Sequence, residues 1–504
     1  MKHILLFGAG KSATVLIDYL KKLATECQYL VTVVDGNLEN AQSKVGIHAL
    51  VKAMEVNVED ETNRQKLIEN ADVVISLLPP FLHYLVAVDC VNFGKHLLTA
   101  SYIDDKIQSL KSKIDEKNLL FLCEMGLDPG IDHMSAMQLI HRIKEIGGII
   151  TSFKSHCGGL VAPECDDNPW HYKISWNPKN VVLAGKAGAI YKEKGVIKKV
   201  DYKDLFTTGN LIKLNDEMLL AYYPNRDSLS YIPIYELEEA NTFIRTTLRH
   251  PDFCFGWKNI IDLHLTDETE QYDTDGLTIA AFFKSHFNKY GFSNWLNEML
   301  NSRLSFAKDV MENLVQLIET DHDNEIIGNE ADTTLMMVNQ EGQLDSLDID
   351  QVKNKAAATL ALKMHEANLS LKQLFFLGLE SDELINKGKC TPAEILQFIL
   401  EKKLALQPTD KDMVVMLHEI EYEREGVKNL VKSSLVAKGE DSIHTAMAKT
   451  VGLPLGIAAK FILNGTITTR GLHIPIVSSI YHSVLKELAT LGIQFNETIV
   501  ELEK

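Results

Sequence analysis

The chain has 504 residues and a formal net charge of −18, from 51 Lys and Arg against 69 Asp and Glu, and at about 150 residues per domain it is too long for one hydrophobic core. Its 45% apolar and 24% charged residues are ordinary globular composition, which excludes wholesale disorder and fibrous architecture. The negative balance repels phosphate backbones and anionic lipid surfaces, so a small molecule is the expected partner, with no nucleic acid and no membrane.

No run of eighteen apolar residues occurs, and the apolar stretch opening at Met1 and ending at Gly8 is too short for a signal sequence. A cytoplasmic protein is expected. The seven cysteines, Cys27, Cys90, Cys123, Cys157, Cys165, Cys254 and Cys390, show no CxxC pair and no metal-ligand spacing, which argues against a disulfide framework and structural zinc.

In chain order, Ile4 to Phe7 reads as a buried strand and Gly8-Ala9-Gly10 as a tight turn. Val15, Leu16, Tyr19, Leu20 and Leu23 then recur at helical spacing, and Leu30 to Val34 is a second strand closing a βαβ unit. Further strands are predicted at Val51 to Val56, Val73 to Leu78, His96 to Thr99 and Leu119 to Cys123, the rhythm of a doubly wound parallel sheet. Beyond Gly130 the elements lengthen, and a stretch rich in Pro, Trp and Gly between Cys157 and Gly188 suggests a substrate-facing domain. From Asn294 to Leu406 the periodicity is helical, interrupted by a polar loop or insertion from Glu319 to Thr333. Strands follow at Met413 to Leu417 and Leu430 to Val436, then helices at Ala446 to Leu463 and Ile476 to Leu491.

Gly8-x-Gly10-x-x-Ala13 inside the first βαβ unit supplies a strand, a glycine turn and a helix N-terminus, which together cradle a pyrophosphate. Gly10-Lys11-Ser12 has the ending of an ATPase P-loop, but Leu5 stands where that loop needs a glycine, and the strand 72–78 lacks a magnesium-holding acid at its C-terminal end. Asp35 ends the second strand where a dinucleotide fold places the acid that binds the adenosine ribose hydroxyls; it would repel a 2′-phosphate, so NAD is expected over NADP. The alternative is that Asp35 only opens an Asp35-Gly36-Asn37 turn.

The run from Glu124 to His133 (EMGLDPGIDH) joins Thr99-Ala100-Ser101-Tyr102, His156-Cys157-Gly158-Gly159-Leu160, Asp167-Asn168-Pro169, Tyr172 to Trp176 (YKISW), Tyr223 to Ser228 (YPNRDS), Thr247-Leu248-Arg249 and Ala446 to Pro454 (AMAKTVGLP). Across nearly the whole chain these motifs resemble the glutamate-forming saccharopine dehydrogenases. The resemblance implies an α/β enzyme: a Rossmann-type doubly wound parallel sheet plus a mixed α/β substrate and dimerisation domain with a helical subdomain, assembled as a homodimer. The corresponding boundaries are 1–130 for the cofactor domain, 131–293 with 407–474 for the substrate domain, 294–406 for the helical subdomain and 475–504 for a C-terminal helix returning towards the cofactor domain.

The resemblance further implies oxidation of saccharopine to L-glutamate and α-aminoadipate semialdehyde. It places the cofactor against Gly8, Ala9, Gly10, Lys11, Asn57, Leu77, Leu127, Asp128, Pro129 and Asn177, and the substrate against Ser101, Arg226, Thr247, Leu248 and Arg249. Asp35, in place of the basic residue of NADP-using members, favours a degradative role. His156 and Val161 replace the Tyr and Pro common in the family.

Saccharopine carries three carboxylates, and guanidinium groups bind carboxylates bidentately, which suits Arg226 and Arg249, with Arg245 in reserve. Each is alternatively a surface arginine. For moving protons the candidates are Asp128, Tyr102, Cys157 and His133. Their alternatives are backbone hydrogen bonding in the Leu-Asp-Pro-Gly turn for Asp128, core packing for Tyr102, an inert buried thiol for Cys157, and a helix cap or packing for His133. Single substitutions cost little rate if the substrate amine shuttles protons itself. Trp170, Tyr172 and Trp176 are a candidate cleft wall or, for at least two of them, core. His141, His250 and His264 have no ligand-like spacing, and no metal is assigned. Competing functions are an NADP-linked biosynthetic saccharopine reductase, a dehydrogenase of a carboxylated polyamine such as carboxynorspermidine, and a dinucleotide-binding regulator without turnover.

Overall fold

The computed structural model describes residues 1–207, 209–214, 218–292, 305, 308, 335–338, 344–347 and 349–502. They fall into two compact units: Met1–Asp167 with His171–Cys254 and Leu404–Lys504, and Asn168–Trp170 with Phe255–Lys403.

In the first unit, β1 (His3–Phe7), β2 (Leu30–Asp35), β3 (Val51–Glu55), β4 (Val73–Ser76), β5 (His96–Thr99) and β6 (Leu120–Leu122) form a parallel sheet in the order β6-β5-β4-β1-β2-β3. This is the doubly wound arrangement, with the strand order reversing at β1, and it matches the six predicted strands. Helices cover both faces, which is why β1 and β4 are almost wholly apolar and buried. The helix Thr14–Cys27 buries Leu16, Ile17, Leu20, Leu23 and Ala24 along one face and stops at Gln28, which is left-handed with φ 55°.

The second sheet belongs to the same unit. It contains β7 (Ile149–Val161), β8 (Ala189–Glu193), β9 (Val196–Val200), β10 (Leu211–Lys213), β11 (Leu219–Pro224), β12 (Arg226–Asp227) and β13 (Thr242–Arg249), and then three later strands. Its main path runs β10, β11, β13, β7, Asp412–Arg424, Val427–Lys438 and Asn496–Glu501. β13 lies parallel to β7, and Asp412–Arg424 runs antiparallel beside β7 along nearly its whole length. The hairpin 412–438 turns on Glu425 and Gly426, both with positive φ, the geometry whose twist suits a two-residue loop.

The helix Ala446–Leu463 is long and apolar enough to cross a membrane, and 72% of it is buried inside the protein. Thr445 caps it, and the Asp412 carboxylate accepts from the N–H groups of Ala446 and Met447. The tail departs from the expected helix over 475–504. Gly471–His473 adds a parallel strand to the edge of β6, the helix Ser478–Thr490 follows, and Asn496–Glu501 pairs with Val427–Lys438. Thr498, Ile499 and Val500 are β-branched residues that an open sheet edge recruits, an effect that sequence periodicity alone does not weigh.

The second unit holds the helices Ile279–Lys289, Ile349–Phe376 and Pro392–Lys403 and two small antiparallel pairings, Tyr272–Asp273 with Lys389–Cys390 and Leu335–Val338 with Leu344–Leu347. Trp257, Phe282, Phe283 and Ile395 are buried. The stretch expected to be helical over 294–406 therefore includes a hairpin, whose four-residue strands are too short for periodicity to tell from helix. The predicted loop 319–333 lies outside the described residues.

Candidate active site

β1 brings the glycine turn to the C-terminal edge of the parallel sheet, where ligands bind in doubly wound folds. Gly8 has φ 98°, and a Cβ there would lie 2.7 Å from the Leu77 carbonyl oxygen, so the turn can rest against the chain leaving β4 only as glycine. Gly10 faces open space, and the turn Lys11–Ala13 that starts the helix has neither a side-chain cap nor an acid in its first turn. Asp35 Oδ2 accepts from the Ala9 N–H at 2.8 Å and Oδ1 from the Asn37 N–H at 3.0 Å. Lys44 Nζ donates to the carbonyls of Ala9, at 2.6 Å, and Gly10. Asn57 is exposed just past β3, where the Val56 N–H binds the Asp35 carbonyl at 3.0 Å. Gly8, Ala9, Gly10, Lys11, Asp35, Asn57 and Leu77 thus share one edge, and buried Leu127 packs in the same core as Ala9.

The loop 124–130 links β6 to the helix Ile131–Glu145 and folds back on itself. The Gly126 N–H reaches the Pro129 carbonyl at 2.9 Å, and a Cβ on Gly130 would lie 2.1 Å from the Gly126 oxygen. The Gly130 N–H donates to Asp132 Oδ1 at 2.6 Å. From β13, Arg245 Nη2 donates to Asp128 Oδ1 at 2.6 Å and Asp132 Oδ2 at 2.8 Å, while the guanidinium lies 4.5 Å from the Tyr231 ring centre.

Burial pushes the Asp128 carboxyl above the usual carboxylate range, with Arg245 opposing and Asp132 reinforcing the shift. Burial acts on Asp132 in the same sense, but His133, Arg245 and the Gly130 N–H outweigh it and hold that carboxyl low. The Tyr102 hydroxyl is 3.5 Å from Asp128 Oδ1 and is pushed up by burial, and the Arg226 guanidinium lies 5.2 Å from the Tyr102 ring centre.

Behind these groups Glu124 Oε2 accepts from the Tyr231 hydroxyl at 2.9 Å and lies 2.8 Å from His133 Nε2, whose Nδ1 is 2.5 Å from the Tyr235 hydroxyl. His133 is therefore part of a buried polar network and not a helix cap. Ser101 Oγ lies 2.8 Å from His83 Nε2, and burial pushes His83 down to about 4.

On β13, Thr247 stands opposite Cys157 in register, and burial pushes the Cys157 thiol up, which keeps it neutral. Arg249 is buried against the rings of Tyr172 and Phe253, at 5.3 and 5.6 Å. Its Nη1 donates to the Leu248 carbonyl at 2.8 Å, and its Nε is buried without a hydrogen-bond partner. The Leu248 side chain is buried in a core with Leu160 and Val415. Asn177 caps the helix Pro178–Val182 through its side chain. Trp170 and Tyr172 are buried, and half-buried Trp176 donates to the Tyr172 hydroxyl at 2.9 Å. His156 Nδ1 lies 2.6 Å from Thr246 Oγ1.

Sequence reasoning gave no role to Asp132, Glu124, Tyr231, Tyr235 or His83 and held Arg245 only in reserve. The available signal was carboxylates inside the otherwise apolar run from Met125 to Met134, which have to be paired if buried.

Residues 4–122 match the family model described as the saccharopine dehydrogenase NADP binding domain, and residues 126–493 match the saccharopine dehydrogenase C-terminal domain. The chain is 31% identical over 506 residues to the Saccharomyces cerevisiae protein named saccharopine dehydrogenase [NADP(+), L-glutamate-forming], covering 99% of each. It is 29% identical over 504 residues to the Schizosaccharomyces pombe protein of the same name, covering 100% of each. It is 30% identical to the Arabidopsis thaliana alpha-aminoadipic semialdehyde synthase and spans only 44% of that protein's length. The solved apo saccharopine dehydrogenase (L-Glu forming) of S. cerevisiae superposes with a TM-score of 0.75 at 30% identity, covering 99% of this chain and 100% of that one.

These matches overturn the expectation of NAD, because the N-terminal segment fits an NADP binding domain and both fungal relatives are named for NADP(+). The physical reason lies in the turn. The Asp35 carboxylate accepts from the Ala9 and Asn37 N–H groups, so Asp35 closes the loop and is not a free acid that reports on the ribose. On the full-length agreement of sequence and fold, the chain belongs to the saccharopine dehydrogenase family.

Proposed function

We propose that this chain is an NADP-linked, L-glutamate-forming saccharopine dehydrogenase. The observation that carries the reading is the full-length similarity to the yeast enzyme, and the buried Asp128–Arg245–Asp132 cluster supports it. The residues present fit the dinucleotide: Gly10 opens onto space and the first helix has no competing cap. When bound, the nicotinamide supplies the hydride acceptor for the carbon attached to the bridging nitrogen.

The protein's own work is to bind, orient and move protons. Arg226 and Arg249 meet substrate carboxylates, and the unpartnered Arg249 Nε is a donor that such a group satisfies. Asp128, its carboxyl raised by burial, takes the proton from the bridging nitrogen and releases it to solvent, then takes a proton from the water that attacks the C=N bond and returns it to the departing glutamate nitrogen. Tyr102 adjoins it, while Arg245 and Asp132 fix its position. Neutral Cys157 lines β7 beside Thr247 and takes no nucleophilic part.

A steady-state assay with saccharopine and each of NADP and NAD, following absorbance of the reduced cofactor, tests the reading. Faster turnover with NADP and a fall of about 10–100-fold in kcat for Asp128→Asn are expected. No reduced cofactor with either dinucleotide, or an unaltered Asp128→Asn, would count against it.

A further inference from the structure

Three side chains far from the glycine turn in sequence converge in the first unit. His171 follows Trp170 with a left-handed φ of 48°, His250 directly follows β13, and Asp252 lies in the first turn of the helix Pro251–Asp262. The His171 and His250 rings stack with centres 3.9 Å apart at 26°. His171 Nε2 lies 3.4 Å from Asp252 Oδ2, and the ligand atoms of all three residues lie within 4.8 Å of one another. His171 Nδ1 is held at 2.6 Å by Asp166 Oδ2, whose Oδ1 is buried without a hydrogen-bond partner.

We propose that His171, His250 and Asp252 form a binding site for a divalent transition-metal ion of the zinc class, with Asp166 as the outer carboxylate that orients His171. Two imidazoles and one carboxylate are the borderline donor set that zinc favours, with a water completing four-coordination. Two ligands on one tetrahedral zinc stand roughly 3.4 Å apart, given metal–ligand bonds of about 2.1 Å, and the His171–Asp252 separation already matches. A carboxylate on Nδ1 holds that nitrogen as the N–H, which turns the Nε2 lone pair towards the ion, the second-layer arrangement common to histidine–zinc sites. The partial exposure of His171, Asp166 and Asp252 leaves a path for entry and room for the ring rotation that unstacks His250 from His171 and turns both lone pairs onto the ion.

Bound there, the ion clasps the segment carrying Tyr172 to the end of β13 carrying Arg249, whose guanidinium lies against the Tyr172 ring. The three residues show no ligand-motif spacing along the chain, since only the fold brings His171 beside His250.

The test uses the full chain, stripped of metal by dialysis against a chelator and then titrated with Zn2+ in competition with a chromophoric chelator, so the readout does not depend on activity. One equivalent per chain with submicromolar affinity and a thermal midpoint raised by a few degrees are expected. His250→Asn should weaken binding by about 100-fold or more and Asp166→Asn by about tenfold. His444→Asn, which removes a ring from a separate His–Asp cluster with Asp441 and Asp18, should leave it unchanged. Far-UV circular dichroism confirms that each variant is folded. Absence of stoichiometric uptake by the unmodified chain, or wild-type affinity in folded His250→Asn, overturns the proposal and leaves the cluster as an ion pair.

Discussion

The glycine turn and the acid–guanidinium cluster are built by opposite routes. The turn comes from one short stretch, Gly8 to Lys11, with Asp35 joining it from the adjacent strand, and the geometry is backbone geometry. The cluster joins Asp128, in the loop after β6, and Asp132, on the helix that follows, to Arg245 on the second sheet, and its geometry is a matter of burial and charge. A defect in the turn should therefore weaken cofactor binding with modest loss of stability, whereas a defect in the cluster should destabilise the whole unit, because a broken buried ion pair leaves a charge without compensation.

Arg245→Met tests that contrast most severely. It should lower unfolding free energy by about 3–5 kcal/mol in urea denaturation, and adding Asp132→Asn should recover part of the loss. Coincident unfolding curves for wild type and Arg245→Met would show that the cluster carries no such energy.

Acid should act on the same unit with nearly the same force. Burial holds His83 and His418 at about 4 in the folded chain, against an ordinary 6.5. Between those values the unfolded chain takes up a proton that the folded chain refuses, so stability is intact above pH 6.5 and falls as pH drops towards 4. The loss approaches about 3 kcal/mol per group, and it should shrink in His83→Gln when denaturation midpoints are compared at pH 7 and 4.5.

Gly8→Ala is the counterpart in the turn. Its positive φ and the 2.7 Å approach of Leu77 oxygen to a new Cβ should cost about 1–3 kcal/mol, appearing chiefly as a ten- to hundredfold weaker NADPH titration by fluorescence. The smallest expected effect is that of Lys44→Met. Loss of its bonds to the Ala9 and Gly10 carbonyls should raise KM for NADP by about threefold, within the range of one hydrogen bond, with unfolding nearly unchanged. If Lys44→Met instead destabilised the protein as much as Arg245→Met, the separation between the two regions would fail.

Much of this is legible in the amino-acid sequence. The six parallel strands, the first βαβ unit and the glycine turn follow from apolar runs and glycine spacing, because a strand buried on both faces has to be apolar and a turn against Leu77 has to lack a side chain. The motif around Asp128 was visible as well. Its pairing with Arg245 was not, since an arginine in the strand TFIRTTLR looks the same whether it faces solvent or two carboxylates. Asp35 misled for a related reason: its position at the strand end is local information, whereas the N–H groups that occupy it come from Ala9 and Asn37.

By itself, then, the order of residues determined the elements, the handed βαβ connection and the chemical types available, all of which depend on neighbours a few positions apart. Which charges neutralise one another, which acid is already engaged and which histidines meet were decided only when the strands, helices and loops packed. Those outcomes depend on desolvation and distance across the fold, and neither quantity exists along the chain.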